Sequence, residues 1–151
     1  MMIETQMLTK RYGDLVAVDK LNLSVNAGEI FVFLGSNGAG KTTTIKMLTS
    51  LLRPTSGTAI VAGYDVEKSP MEVKKVMGYL PDEPFLYNKL TGREFLQFVA
   101  DMHNIKKKKD KVDKFIELFE LSSSADDLIE GYSLGMKKKI AIGAALIHDP
   151  K

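Results

Sequence analysis

The chain has 151 residues, a length that suits one domain, and its 44% hydrophobic and 26% charged side chains are globular proportions that allow a sizeable core. A net charge of +2 is too small to point to nucleic acid, and the lack of cysteine excludes disulfides and thiolate metal sites while fitting a reducing cytosol. No apolar run reaches membrane-spanning length, and Met1 with Glu4 close behind has no charged-then-apolar leader, so no signal peptide is expected.

Ile3, Thr5 and Met7 alternate with polar residues ahead of Leu8, which predicts a half-buried strand. Arg11, Tyr12, Gly13 and Asp14 read as a turn. Leu21, Leu23 and Val25 alternate again, a second strand that runs into a turn over residues 26–29. Residues 30–34 (Ile-Phe-Val-Phe-Leu) are a continuous apolar run, the pattern of a buried strand. Gly35, Ser36, Asn37, Gly38, Ala39, Gly40, Lys41 and Thr42 then fit G-x-x-x-x-G-K-[ST], and Ile45, Leu48 and Leu52 follow at helical spacing. Strand, glycine loop and helix together make a phosphate cradle. Glycines let backbone N–H groups turn inward, and the helix start adds the positive end of its dipole. Lys41 reaches the β- and γ-phosphates, and Thr42 offers a hydroxyl to Mg²⁺. The loop alone leaves kinases, GTPases and transport ATPases open.

The helix after the loop is predicted to end near Leu52, because Arg53, Pro54, Thr55, Ser56 and Gly57 cannot continue it. Thr58 to Val61 reads as a short strand and Ala62 with Gly63 as a turn. Pro70 opens a helical turn over residues 71–75, and residues 76–80 form another apolar strand, stopped at residues 81–84. Thr91 and Glu94 form a capping box, after which Phe95, Phe98, Val99 and Met102 mark an amphipathic helix. Lysines at 106–109 and 111 read as a solvated face, with contact to anionic lipid or nucleic acid as the alternative, ahead of a second helix with Val112, Phe115, Ile116 and Phe119 inward. Residues 122–124, all serine, form a loop. Ser133 caps a last helix whose stripe is Met136, Ile140, Ala144 and Ile147, ended by residues 148–150. His103 and His148 have no partners at metal-ligand spacing and read as surface or packing residues. The strand-rich front and helical back predict two subdomains, 1–84 and 85–151, without a flexible linker.

Tyr132, Ser133, Leu134, Gly135 and Met136, followed by three lysines, resemble the Leu-Ser-Gly-Gly-Gln signature of ATP-binding cassette (ABC) ATPases, and they sit at a helix start as that signature does. With the phosphate loop, the resemblance covers essentially the whole chain. It implies an α/β fold, an ABC-type P-loop NTPase core with N-terminal antiparallel strands and a helical subdomain, incomplete at the C-terminus. Tyr12 matches the aromatic that stacks on adenine, and Gly35 through Lys41, Thr42 and Thr43 match the Walker A segment. Residues 79–84 match the Q-loop region, with Asp82 where a glutamine normally follows the proline. A carboxylate is still a hard oxygen ligand, so Thr42 and Asp82 are the implied Mg²⁺ ligands, with Glu83 as the alternative to Asp82. Lys41 and Asp82 are the implied catalytic residues. Leu134 departs from the signature's first glycine, whereas Ser133 and Gly135 are kept and would face a γ-phosphate bound by a second subunit.

The resemblance further implies ATP and Mg²⁺ as cofactors, a second ATP-binding subunit (a homodimer), a separate membrane permease and no nucleic acid. Phe85, Leu86 and Tyr87 lie where the family docks the permease's coupling helix, with simple packing on the helical subdomain as the equal alternative. The implied location is cytoplasmic, peripheral on the inner face of the membrane through the permease. Both departures look similar to an exporter-type branch. The family's Walker B aspartate, its following glutamate, the switch histidine and the parallel strands flanking residues 30–34 are expected beyond residue 151, so the chain alone is expected not to turn over ATP. A nucleotide-binding fragment without turnover and a soluble ABC ATPase of DNA repair or translation are the alternatives.

Overall fold

In the computed structural model, which describes every residue from Met1 to Lys151, the first strand is paired along both edges. β1 (Ile3–Tyr12) lies between β2 (Leu15–Val25) and β3 (Ser56–Val61), and β4 (Tyr64–Asp65) follows β3, giving the order β2-β1-β3-β4 with every pair antiparallel. The chain divides into two units, Met1–Met77 with Lys151, and Gly78–Pro150.

In the first unit the long β1–β2 hairpin is irregular. Its register shifts leave Met7 (φ 50°) and Lys20 (φ 46°) in left-handed backbone. The backbone groups thus released from the ladder are taken up by side chains. Thr5 Oγ1 donates to Leu21 O at 2.9 Å and accepts from Leu23 N at 2.8 Å. Thr9 Oγ1 donates to Met7 O and accepts from Lys20 N, both at 3.0 Å, and Asn22 Oδ1 accepts from Met7 N at 2.9 Å. Both threonines are buried, which explains polar residues under a sheet. α1 (Lys41–Leu48) and α2 (Pro70–Val76) supply Met47, Leu48 and Val73 to a core completed by Leu8, Val18, Ala59, Val61 and Val66.

Four readings along residues 11–80 are corrected. The turn expected over residues 11–14 contracts to Gly13 and Asp14; Arg11 and Tyr12 stay in β1, Tyr12 opposite Leu15. Residues 30–34 are not a buried strand. No other segment offers them a ladder, and Ile30, Val32 and Leu34 are 96%, 63% and 88% exposed. An apolar run reports surface that asks for burial, but a strand also needs a partner's N–H and C=O groups, and none of the four strands of the sheet pairs with these residues. Residues 76–80 are not a strand either: α2 runs on through Val76, and residues 77–80 are irregular for the same lack of a partner. The helix after the loop stops at Leu48, and Leu51 and Leu52 donate back to Lys46 O in a closing turn.

The second unit is helical, with α3 (Gly92–Met102), α4 (Lys108–Leu118) and α5 (Leu134–Leu146) around Leu96, Val112, Ile116, Ile129, Ile140 and Ile147. The capping box of α3 forms as predicted: Glu94 N donates to Thr91 Oγ1 at 3.1 Å, and Thr91 N donates to Glu94 Oε2 at 2.8 Å. The buried face of α3 differs from the predicted stripe. Gly92, Phe95, Leu96 and Ala100 are inside, whereas Phe98 is 41% and Met102 67% exposed. Small residues at 92 and 100 carry little hydrophobic signal yet allow the close approach, and a Cβ at Gly92 would stand 2.2 Å from Tyr132 Oη.

Candidate functional site

The phosphate loop opens α1 without a side-chain cap. Gly40 is the N-cap residue, at φ 84°, and its missing Cβ would lie 2.3 Å from Ala17 O and 3.1 Å from Val18 Cγ2. Glycine is therefore required twice, for the left-handed backbone and for the contact with β2. Gly38 has the same φ of 84° with open space around it. Ala39 N donates to Ser36 O, and Thr44 N to Gly40 O, which leaves the N–H groups of Gly38, Gly40, Lys41, Thr42 and Thr43 without an acceptor in the chain. Such donors at a helix start suit an anion. Lys41 Nζ donates to Gly35 O and Ser36 O, each at 2.7 Å, so the ammonium lies across the same loop. Thr42 is exposed with its hydroxyl unused, whereas Thr44 turns inward and donates to Gly40 O at 2.9 Å.

A hollow of about 260 Å³ adjoins the loop, walled by Ala17, Val18, Asp19, Phe33, Ala39 and Lys41 among others. Ala17 and Val18 are the residues the sequence reading missed. Their signal was the alternation of Val16 and Val18, which continues the second strand upstream of Leu21. Tyr12 ends β1 with its ring half exposed, and Lys10 Nζ stands 5.2 Å from the ring centroid.

In the second unit, Ser133 is the N-cap of α5 and its Oγ accepts from Met136 N at 3.2 Å. The N–H groups of Leu134 and Gly135 have no acceptor in the chain. Leu134 is 72% exposed. A Cβ on Gly135 would meet only Ser133 Oγ, at an ordinary 3.8 Å, so nothing inside the chain demands glycine there. Tyr132 holds this helix start in place: it is buried and donates from Oη to Ser124 O at 2.5 Å. Burial raises its pKa above the ordinary phenol value. The segment before it is pinned by Ile129 N donating to Leu90 O at 2.9 Å and Glu130 N to Asn88 O at 3.1 Å. Arg93 adds ion pairs to Asp126 at 2.8 Å and to Asp113. Asp82 and Glu83 are exposed in a bend and bond to nothing in the chain. No group of three or more His, Asp or Glu gathers as a ready-made metal site. Mg²⁺ suits such a loop, because it commonly takes one or two protein oxygens and completes its shell with phosphates and water.

A sequence profile of the ABC transporter family matches residues 18–151. The chain belongs to the ABC transporter family. Among curated relatives, the cassette is 42% identical to the bacitracin transport ATP-binding protein BcrA of Bacillus licheniformis, over 99% of this chain and 48% of that protein. It is 39% identical to the probable multidrug ABC transporter ATP-binding protein YbhF of Escherichia coli K12, over 98% of this chain and 26% of that protein. The cassette thus spans about half or less of those relatives. Among solved structures, an ATP-binding subunit of an ABC transporter superposes with a TM-score of 0.89 at 28% identity, covering 99% of this cassette and 63% of that chain. The fold is that of an ABC ATPase, and family membership implies nucleotide binding with Mg²⁺. No helix of the cassette is long and apolar enough to cross a membrane.

Proposed function

We propose that the full-length protein is the ATP-binding subunit of an exporter-like ABC transporter, coupling ATP binding and hydrolysis to transport through a separate membrane permease. The observation that carries this is the set of unpaired N–H groups of Gly38, Gly40, Lys41, Thr42 and Thr43, with the Lys41 ammonium held on Gly35 O and Ser36 O of the same loop, in a chain of this family. In this reading Gly35, Ser36, Asn37, Gly38, Ala39 and Gly40 wrap the phosphates, and Lys41 meets their charge. Thr42 gives a metal ligand, Thr43 lends its amide, and Tyr12 offers a flat face to adenine. When bound, Mg²⁺ neutralises charge on the phosphates. Asp82, free of other bonds, supplies a carboxylate to the metal or to its water. Residues 1–84 act as the nucleotide-binding core and 85–151 as the helical subdomain.

Ser133 and Gly135 face the γ-phosphate of a second copy, whose approach accounts for a glycine that the chain itself does not require. Phe85 and Tyr87, 82% and 48% exposed, offer an apolar surface to the permease at the inner face of the membrane. The names of the relatives favour transport over a soluble role in repair or translation.

The test is ATP-driven dimer formation by the full-length protein, followed by light scattering. Gly135→Asp should bind ATP as a monomer with nearly unchanged affinity and fail to dimerise, because the new carboxylate repels the partner's phosphate. Dimerisation equal to wild type would contradict the proposal.

A further inference from the structure

The loop between α3 and α4 and the first turn of α4 gather cations that the fold does not use. Lys106, Lys107 and Lys109 are exposed, and their ammonium groups enter no ion pair or hydrogen bond, whereas neighbouring Lys108 and Lys111 are held by Asp101 and Asp149. Lys107 is the N-cap residue of α4 yet makes no capping bond, and Lys109 stands in the first turn, softened only by Asp110. Cations at that end oppose the helix macrodipole. The stability of α4 therefore does not account for them.

An exposed apolar strip runs up to these lysines. Met102, the last residue of α3, is 67% exposed, and Phe98 one turn earlier is 41% exposed. The Phe98 ring meets Tyr87 edge-on at 5.5 Å, and Tyr87 meets Phe85 edge-on at 5.7 Å. An apolar strip ending in unpaired lysines matches the boundary of a bilayer, where apolar groups enter the headgroup layer and ammonium groups stay in its negative field.

We propose that this surface rests on anionic lipid, with Lys106, Lys107 and Lys109 among the headgroups and Met102 and Phe98 at the acyl boundary. Lysines on flexible stems suit a diffuse field, whereas defined carboxylate partners favour the planar fork of arginine. Nucleic acid fits less well: no aromatic side chain interleaves the lysine run to stack on bases, and the net charge is only +2. The inference deepens the transporter reading, since a permease would hold this surface near the bilayer, but lipid binding itself needs no permease.

The experiment is co-sedimentation of the purified full-length protein with phosphatidylcholine vesicles, with and without phosphatidylglycerol. Binding should require phosphatidylglycerol and weaken with salt. Lys106→Glu/Lys107→Glu/Lys109→Glu should reduce it by about tenfold or more, and Phe98→Ser/Met102→Ser should weaken it further. The control Lys20→Glu/Lys68→Glu/Lys74→Glu makes the same charge change in the other unit and should bind like wild type. Equal binding to neutral vesicles, or equal loss in both triple variants, would overturn the proposal. So would binding of transfer RNA in solution that the first triple variant loses and vesicles do not compete for. The vesicles contain no permease, so absent lipid binding leaves the transporter reading standing, and failed permease binding leaves the lipid result standing.

Discussion

Gly40 and Gly38 share a backbone conformation but not an environment, and that difference makes a quantitative test of how the phosphate loop is seated. Both lie at φ 84°, so alanine at either position costs roughly 1–2 kcal/mol in left-handed strain. At Gly38 that is the whole cost, because no atom lies within 4 Å of the added Cβ. At Gly40 the Cβ would sit 2.3 Å from Ala17 O, a backbone atom of β2 that cannot swing aside, and 3.1 Å from Val18 Cγ2. Forcing the loop off β2 adds a further overpacking cost of about 1–3 kcal/mol. Gly40→Ala should therefore destabilise the full-length protein by at least about 1 kcal/mol more than Gly38→Ala. Urea unfolding followed by far-UV circular dichroism measures the difference. Equal losses for the two variants would refute the contact between loop and β2 as the reason for glycine at 40.

Two further outcomes follow from the helical unit. Gly92→Ala places a Cβ 2.2 Å from Tyr132 Oη, so it should be strongly destabilising alone and less so beside Tyr132→Phe, which removes that oxygen; strictly additive losses in a double-mutant cycle would contradict the contact. Burial holds the His103 imidazole below its ordinary pKa, and the ring of His148, stacked on it at 4.0 Å, pushes the same way. The folded state therefore resists the proton that the unfolded chain accepts near pH 6.5. The contribution is full above that pH and is lost as pH falls through the lowered folded value. His103→Phe should flatten the fall in unfolding temperature between pH 7 and pH 5 relative to wild type, and an unchanged slope would exclude the pair as its source.

Local chemistry was legible in the sequence. Ser133 and Thr91 announced their helices because a cap is a contact between residues a few positions apart, and the Gly-Lys-Thr loop announced itself because its backbone demands glycine at fixed offsets. Long-range pairing was not legible. Residues 30–34 and 76–80 carry the composition of strands, but whether a strand forms depends on a partner that local composition does not name. The face of α3 was misjudged for a related reason: Gly92 and Ala100 owe their burial to Tyr132 and the neighbouring helices, not to their own hydrophobicity. In the candidate site, the lysine and the free hydroxyl of Thr42 could be read directly. The support from Ala17 and Val18 could not, because that contact crosses more than twenty residues to Gly40.

The central claim is that this loop binds the phosphates of a nucleotide through Lys41. Calorimetric titration of the full-length protein with ATP and with adenosine, before and after Lys41→Ala, tests it most directly. The lost charge-assisted contact is worth about 1.5–3 kcal/mol, so ATP should bind roughly 10- to 150-fold more weakly while adenosine, lacking phosphate, is held as before. Equal losses for ATP and adenosine would contradict the assignment of Lys41 and of the loop.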